Sequence, residues 1–333
     1  MRIGVLEWDI SQMGGRHREM MFFADYLISR GHQVRLYSNF LSPTAQWNTG
    51  TFLDWFHFQH LHYEHCSVDF GLKRWMRDVP REWHDLDVLI GSYGTWGHLQ
   101  RLLPHTRVIT WVIHPAQARP EQNVRVWTNS QTSLARLKAS PTWTNADIRT
   151  VPSPVDYGLF RKWSRPKDQR QLDVVVIGSL LRDKRLVEAF EACRSIGCTS
   201  EFFCTTWPAA STENKEIREK LDDMGVKYSL NVSSEIVAKA LGDAHVYLSM
   251  SVAESCSLAV HEAMNAGAAV VSRNAGSVVE QTGALGYVFE DPSLVQRMLE
   301  KALGDSIVGC SMARGMLFDR QVVGHVTDDE LRR

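Results

Sequence analysis

The sequence lacks an excess of charge of either sign. Its 37 lysines and arginines stand against 38 aspartates and glutamates, a formal net charge of -1 over 333 residues. That balance gives no general attraction to nucleic acid or to acidic membranes, so any such contact must be a local patch. It also lacks a long apolar run, and nothing approaches the ~20 apolar residues of a membrane-spanning helix. Cysteine is scarce and spaced without pattern. Positions 66, 193, 198, 204, 256 and 310 form no CxxC pair and no zinc spacing, so reduced, buried thiols are expected. Met1 to Glu7 carries an acidic residue and no long apolar core, and reads as a strand rather than a signal peptide. Tandem repeats and low-complexity segments are absent. A soluble, cytoplasmic protein is the expectation, and at this length two domains, because single cores seldom grow beyond about 250–300 residues.

The chain is organised around residues 253–272, AESCSLAVHEAMNAGAAVVS. The apolar run 245–250 before it and the run 268–272 after it read as strands. Leu258, Ala259, Glu262, Ala263 and Ala266 between them keep helical period. Gly267 is the expected stop, since glycine takes positive φ without steric cost. Ser255 and Ser257 offer capping chemistry at the helix start. Free backbone N–H groups and the positive end of the helix dipole make such a turn a natural seat for a phosphate. Glu254 lies at its mouth and Glu262 two turns deeper, which suits a polyhydroxylated, phosphorylated ligand.

The N-terminal half opens as a βαβ unit: a strand over 2–8, a loop ending in Gly14-Gly15, a helix over 16–30 and a strand over 32–38. The glycine pair falls where a diphosphate could approach the backbone. Nine of 11 tryptophans and ten of 13 histidines precede Asp156, so aromatic and titratable chemistry is concentrated here. Residues 55–66 alternate as a strand would, which puts His60, His62 and Glu64 on one face. That spacing matches no structural zinc pattern, and a histidine-bearing face beside an aromatic acceptor pocket is expected. Lys73, Arg74, Trp75, Arg77, Arg81 and Trp83 mix basic and aromatic groups. A solvated helix face is the plainer reading, with peripheral membrane contact or nucleic acid left open. Strands over 87–91 and 107–113 end at Tyr93 and His114. Ligands of open parallel sheets sit beyond the carboxyl ends of strands, so both residues are site candidates.

The segment 149–156, RTVPSPVD, is a short edge strand and a proline-rich link, and the alternation restarts after it. Strands are expected over 173–178, 201–205 and 226–230, and helices over 185–197, 213–224 and 235–241. The reading is α/β: 1–156 an N-terminal Rossmann-like domain, 157–310 a second one, and 311–333 a helical tail, with its return to the first domain left open.

These residues resemble the GT-B glycosyltransferases, specifically the retaining GT4 family. Five stretches carry the resemblance: Gly14-Gly15 with Gly31-His32, residues 151–160, residues 178–184, the Glu254–seven residues–Glu262 pair, and residues 276–280. It implies two Rossmann-like domains facing each other across a cleft, the first binding the acceptor and the second a nucleotide-sugar donor, UDP- or GDP-linked. By it Glu254 contacts the transferred sugar, Glu262 the ribose hydroxyls, and Lys184 the diphosphate. The backbone at Cys256, Ser257 and Leu258 meets phosphate or sugar hydroxyls. Gly14, Gly15 and Tyr228 join the donor side, His114 is a catalytic histidine, and Tyr93 and Arg16 are acceptor-side candidates. The acceptor is a carbohydrate, a lipid-linked or a small molecule. No metal or other cofactor is expected, because cations and helix dipoles can neutralise the departing diphosphate and no DxD motif stands in a suitable place.

Three departures from the family pattern stand out, one of them Leu230 in place of the usual glycine after the strand over 226–229. Ser179 replaces the arginine after Gly178, with Arg182 or Arg185 as substitutes, and Ser255-Cys256-Ser257 replaces Gly-Phe-Gly. They motivate one alternative, a non-catalytic GT-B scaffold that binds a glycan or a partner. A nucleotide-sugar 2-epimerase shares the fold but needs several acid–base carboxylates. Transfer to a modified nucleic-acid base is the remaining alternative. Residues 1–156 hold 16 Lys+Arg and 14 Asp+Glu, and that +2 offers little hold on a phosphate backbone.

Overall fold

The computed structural model describes residues 1–9, 15–40, 60–68, 79–92, 97–112, 125–143, 146–207, 210–305, 315, 317, 323, 327 and 329–332. The chain divides into two compact units, Met1–Pro154 with Val323–Arg333, and Val155–Val322.

In the first unit β1 (Arg2–Asp9), β2 (Gln33–Phe40), β3 (Cys66–Val68), β4 (Val88–Ser92), β5 (Arg107–Trp111), β6 (Arg125–Thr128) and β7 (Ile148–Thr150) form one parallel sheet, ordered β3-β2-β1-β4-β5-β6-β7. Helix α1 (Gly15–Ser29) joins β1 to β2 and ends where Gly31 takes φ +81°, a conformation that glycine adopts without strain. Its Met20, Phe23, Ala24 and Leu27 are buried against Ile3, Val5, Ile109, Trp111 and Trp127. Phe23, Trp111 and Trp127 meet edge to face with centroids 5.3–5.8 Å apart, so two of the many tryptophans are core. Two shorter helices follow, α2 (Gly97–Leu102) and α3 (Gln131–Ala139). Ser130 caps α3 by accepting the Ser133 N–H at 3.0 Å. From the far end of the chain Val323 and Leu331 are buried in this core, and the carbonyls of Leu331 and Glu330 accept from Arg107 and Arg125.

The second unit carries β8 (Leu172–Ser179), β9 (Ser200–Thr205), β10 (Tyr228–Leu230), β11 (Ala244–Ser249), β12 (Ala269–Arg273) and β13 (Tyr287–Phe289), all parallel, ordered β10-β9-β8-β11-β12-β13. Val174, Val175 and Val176 run unbroken because both faces of β8 are covered. One core lies under α5 (Leu186–Ser195), α6 (Ser211–Asp223) and α10 (Val295–Gly304), whose Val295, Leu299 and Ala302 share a buried face. The opposite core lies under α4 (Tyr157–Trp163), α7 (Ser234–Asp243) and α8 (Leu258–Asn265), and the short α9 (Val278–Thr282) precedes β13.

The expected histidine-bearing strand is corrected. Residues 55–59 lie outside the described residues, and Tyr63–His65 is a 3₁₀ turn that reaches strand geometry only at Cys66. The cause is Asp25, buried on α1, whose Oδ1 accepts the backbone N–H groups of both His60 and Leu61 at 2.6 and 2.7 Å. Those donors are thereby withheld from a sheet. The solvated helix face expected over 73–83 is corrected at its end: residues 73–78 lie outside the described residues, and Arg81–Asp85 is a 3₁₀ turn whose Trp83 is fully buried in a core cluster with Leu6, Tyr37 and Leu86. The remaining expected elements among the described residues differ by a few residues at their ends, as frayed helix termini do.

Candidate functional site

Each sheet reverses its winding once, between β1 and β4 and between β8 and β11. Crevices beyond the carboxyl ends of strands at such a switch point are where open α/β sheets bind ligands. In the second unit the two loops leaving that point carry Lys184, after β8, and Glu254, after β11. Their side chains meet, with Lys184 Nζ 2.7 Å from Glu254 Oε1 and 3.7 Å from Asp183 Oδ2. Both members of the close pair are only 18% exposed. Burial works against the ammonium, but the two carboxylates outweigh it, so the Lys184 pKa lies above the ordinary lysine value. The loops are also tied through the backbone, as the Val252 N–H donates to the Asp183 carbonyl at 2.8 Å.

A third loop, after β12, clamps the second. Gly276 has φ +59°, and a Cβ placed on it would lie 2.2 Å from the Glu254 carbonyl oxygen. Only glycine permits that approach. Beside it the Ser277 N–H donates to the Ser255 carbonyl at 3.1 Å. The buried Gln281 on α9 completes the clamp. Its Nε2 donates to the Ser257 carbonyl at 2.8 Å, and its Oε1 accepts from the Ser257 N–H and the Ser277 hydroxyl, both at 3.3 Å. Ser257 is the residue before α8, and its hydroxyl makes no capping bond to the helix. Its N–H, expected to face donor oxygens, is held by Gln281. Leu258 is buried and Cys256 half-buried.

Glu262 is buried on α8, 1% exposed. Beneath it Tyr247 of β11 is also buried. Burial first, then the charges of Glu254 and Glu262, push its phenol above the ordinary tyrosine value. The charges of both glutamates thus raise the Tyr247 phenol in the same direction.

The remaining donor-side candidates are placed differently. Ser179 Oγ lies 3.0 Å from Thr205 Oγ1, joining the carboxyl ends of β8 and β9. Arg182 is exposed and turns to α6, bonding Glu216 at 2.5 Å. Arg185 pairs with Glu188 at 3.0 Å, so neither arginine joins the Lys184–Glu254 pair. Tyr228 sits three positions below the carboxyl end of the sheet, in register with Phe202, and its hydroxyl donates to Asp222 on α6 at 2.8 Å. Nearer the carboxyl end, Asn231, in left-handed conformation at φ 50°, accepts the Thr206 N–H at 3.0 Å.

In the first unit Gly14, Tyr93 and His114 lie outside the described residues, as does the Arg16 side chain, and Gly15 opens α1. The structure adds residues there that sequence reasoning missed. Glu7, at the carboxyl end of β1, and His17, in the first turn of α1, are buried with Oε1 and Nε2 3.6 Å apart. Two residues on, Glu19 accepts the Ser153 hydroxyl at 2.5 Å. An acid late in an apolar strand followed by a histidine just past a Gly-Gly pair was the available signal. Among the described residues no helix is long and apolar enough to cross a membrane.

Residues 171–305, most of the second unit, match the family model described as Glycosyl transferases group 1. No curated protein sequence matches the chain. Sucrose-phosphate synthase from Thermosynechococcus elongatus is similar in structure with a TM-score of 0.74 at 15% identity, over 100% of this chain and 98% of that one. Anabaena Alr3699/HepE, solved in complex with UDP-glucose, has a TM-score of 0.73 at 14% identity, over 100% and 99%. A glycosyltransferase from Rickettsia africae has a TM-score of 0.73 at 11% identity, over 99% and 97%. At these identities the likeness is one of fold. The chain has the GT-B fold, and the match to the glycosyltransferase group 1 model is confined to its second unit.

Proposed function

We propose that the protein is a GT4-like, retaining glycosyltransferase that moves a hexosyl group from a nucleotide-diphosphate sugar to an acceptor hydroxyl. The observation that carries this reading is the Lys184–Glu254 pair, 2.7 Å apart at the switch point of the matched domain. When a nucleoside diphosphate departs, negative charge grows on its oxygens, and a fixed cation lowers that barrier without reorganisation. Lys184 is such a cation, kept protonated by its carboxylate neighbours and held in place by one of them. Glu254, freed from part of that bond as phosphate takes the ammonium, would contact the sugar hydroxyls, and Glu262 the ribose. With Lys184 in this role no metal is required.

The donor is taken to be UDP- or GDP-linked. HepE, of the same fold, was solved with UDP-glucose, which supports the uridine choice. The second unit would bind the donor, and the first, with Tyr93 and Arg16, a carbohydrate, lipid-linked or small-molecule acceptor; Gly14 and Gly15 are taken as donor-side residues and His114 as the catalytic histidine. A cytoplasmic location is part of the proposal. A thermal-shift panel of UDP, GDP, ADP and TDP and their glucose conjugates tests it. One uridine or guanosine diphosphate should raise Tm in the unmodified protein, by an amount set by the excess of ligand over its Kd, and the rise should vanish in Glu262→Ala. No stabilisation by any of them would leave the non-catalytic scaffold as the better account.

A further inference from the structure

On the α5/α10 face of the second unit lies an open cavity of about 560 Å3, within the size range of small-ligand pockets, ~300–1,000 Å3. Ala192, Met250 and Val295 give it an apolar floor, and three guanidinium groups, Arg185, Arg194 and Arg273, stand on its walls. The facing carboxylates are Glu188 and Glu191. Glu188 is taken by Arg185 at 3.0 Å, and the Arg194 guanidinium lies 5.9 Å from the centre of the Phe190 ring. Arg273, half-buried at the carboxyl end of β12, has no carboxylate partner among the described residues. A half-buried guanidinium presents a planar fork of donors with little hydration to lose, and it matches the oxygens of a phosphate. With Arg185 and Glu188 cancelling, two arginines face one glutamate, an excess of one positive charge.

We propose that this cavity is a binding site for a small organic phosphate, with Arg273 as its anchor, Arg194 as the second cation and the Ala192–Met250–Val295 floor against the carbon skeleton. The site is separate from Lys184 and Glu254, neither of which lines it. It nevertheless touches the roots of the loops described above. Arg185 follows Lys184 directly, Met250 immediately follows the strand that leads to Glu254, and Arg273 ends the strand that leads to Gly276.

Calorimetric titration of the full chain with glycerol 3-phosphate and with inorganic phosphate tests the assignment. Glycerol 3-phosphate should bind saturably and more tightly than inorganic phosphate, because only it covers the apolar floor. Arg273→Gln should weaken it about tenfold or more, the scale of a lost charge-assisted fork. Arg194→Gln, on an exposed helix face where folding is not at stake, should weaken it several-fold, and Lys184→Ala should leave it unchanged. The proposal fails if neither probe binds at about 10 mM or if both arginine variants bind as the unmodified protein does. Competitive displacement of the probe by UDP would also overturn it, by placing the phosphate at the Lys184 site.

Discussion

At Lys184 two opposing effects act on one ammonium. Removal from water favours the neutral amine, while Glu254 at 2.7 Å and Asp183 at 3.7 Å favour the charge, and the carboxylates prevail. The side chain is therefore charged before any ligand arrives, and ligand phosphate need not induce its protonation. Truncation to Ala removes the cation and leaves the Glu254 carboxylate, 18% exposed, without this partner. Lys184→Ala should accordingly lower nucleoside-diphosphate affinity about tenfold or more, because a charge-assisted contact is lost and an uncompensated anion faces the phosphate. Glu254→Ala should cost less affinity for the diphosphate than for the intact nucleotide sugar, since the sugar is its proposed contact. A double-mutant cycle on stability should give a coupling of about 1 kcal/mol or more between the two positions. Additive losses would show that the pair is not an energetic unit.

At the scale of elements, the site is three loops fastened to one another, and the fastening depends on Gly276. An alanine there must hold φ +59°, which costs about 1 kcal/mol, and its Cβ would have to push back the Glu254 carbonyl from 2.2 Å. Gly276→Ala should fold with a lowered Tm and lose nucleotide-induced stabilisation, because the carbonyl that must retreat belongs to Glu254 itself. A variant that retains the ligand shift would show that the clamp does not position the carboxylate. Arg170 fastens the other end of the sheet. Buried, it donates to the Arg165 carbonyl at 3.0 Å, to the Ala266 carbonyl past the end of α8 at 2.8 Å, and to the Ala244 carbonyl at the start of β11. Burial pulls its guanidinium down to about 10, with the Asp243 charge resisting. Arg170→Met strands those carbonyls at about 1–3 kcal/mol for each one left buried and unsatisfied, and chemical denaturation should show a loss of several kcal/mol. What was legible in the sequence follows the same division. Helix α8 was legible because its period, its Gly267 stop and both glutamates are local. The roles of Gln281 and Tyr247 were not, because each exists only through contact with another loop or strand. Residues 60–65 misled for the same reason, since the alternation of aromatic and histidine residues favours a strand and the overriding Asp25 lies 35 residues away.

At the scale of the whole molecule, the parallel strands of the two sheets bury polar hydrogens that titrate in alkali, and these groups share one direction of pH response, with Arg170, its guanidinium lowered, acting in the opposite sense only above about pH 10. In the first unit burial pushes the Tyr37 hydroxyl, helped by Glu82, from 10.0 to about 12, and the Cys66 thiol from 9.0 to about 12. In the second, burial alone carries the Cys204 thiol from 9.0 to about 12. All three folded values lie above the unfolded ones. Each group's contribution to stability is therefore complete below its unfolded pKa and is lost as pH rises through the folded one. Between pH 9 and about 12 the unfolded chain releases these protons while the folded chain keeps them, so the unfolded state gains. Lys184, whose pKa is also raised, acts in the same sense. Urea denaturation at pH 7.5, 9 and 10.5 should show stability constant over the first interval and falling over the second, in both units. In Cys204→Ala the fall should be shallower for the second unit alone, because the thiol that titrates has been removed from its core while Tyr37 and Cys66 remain in the other. A slope unchanged by that substitution would mean that the Cys204 proton is not what alkali takes from the second core.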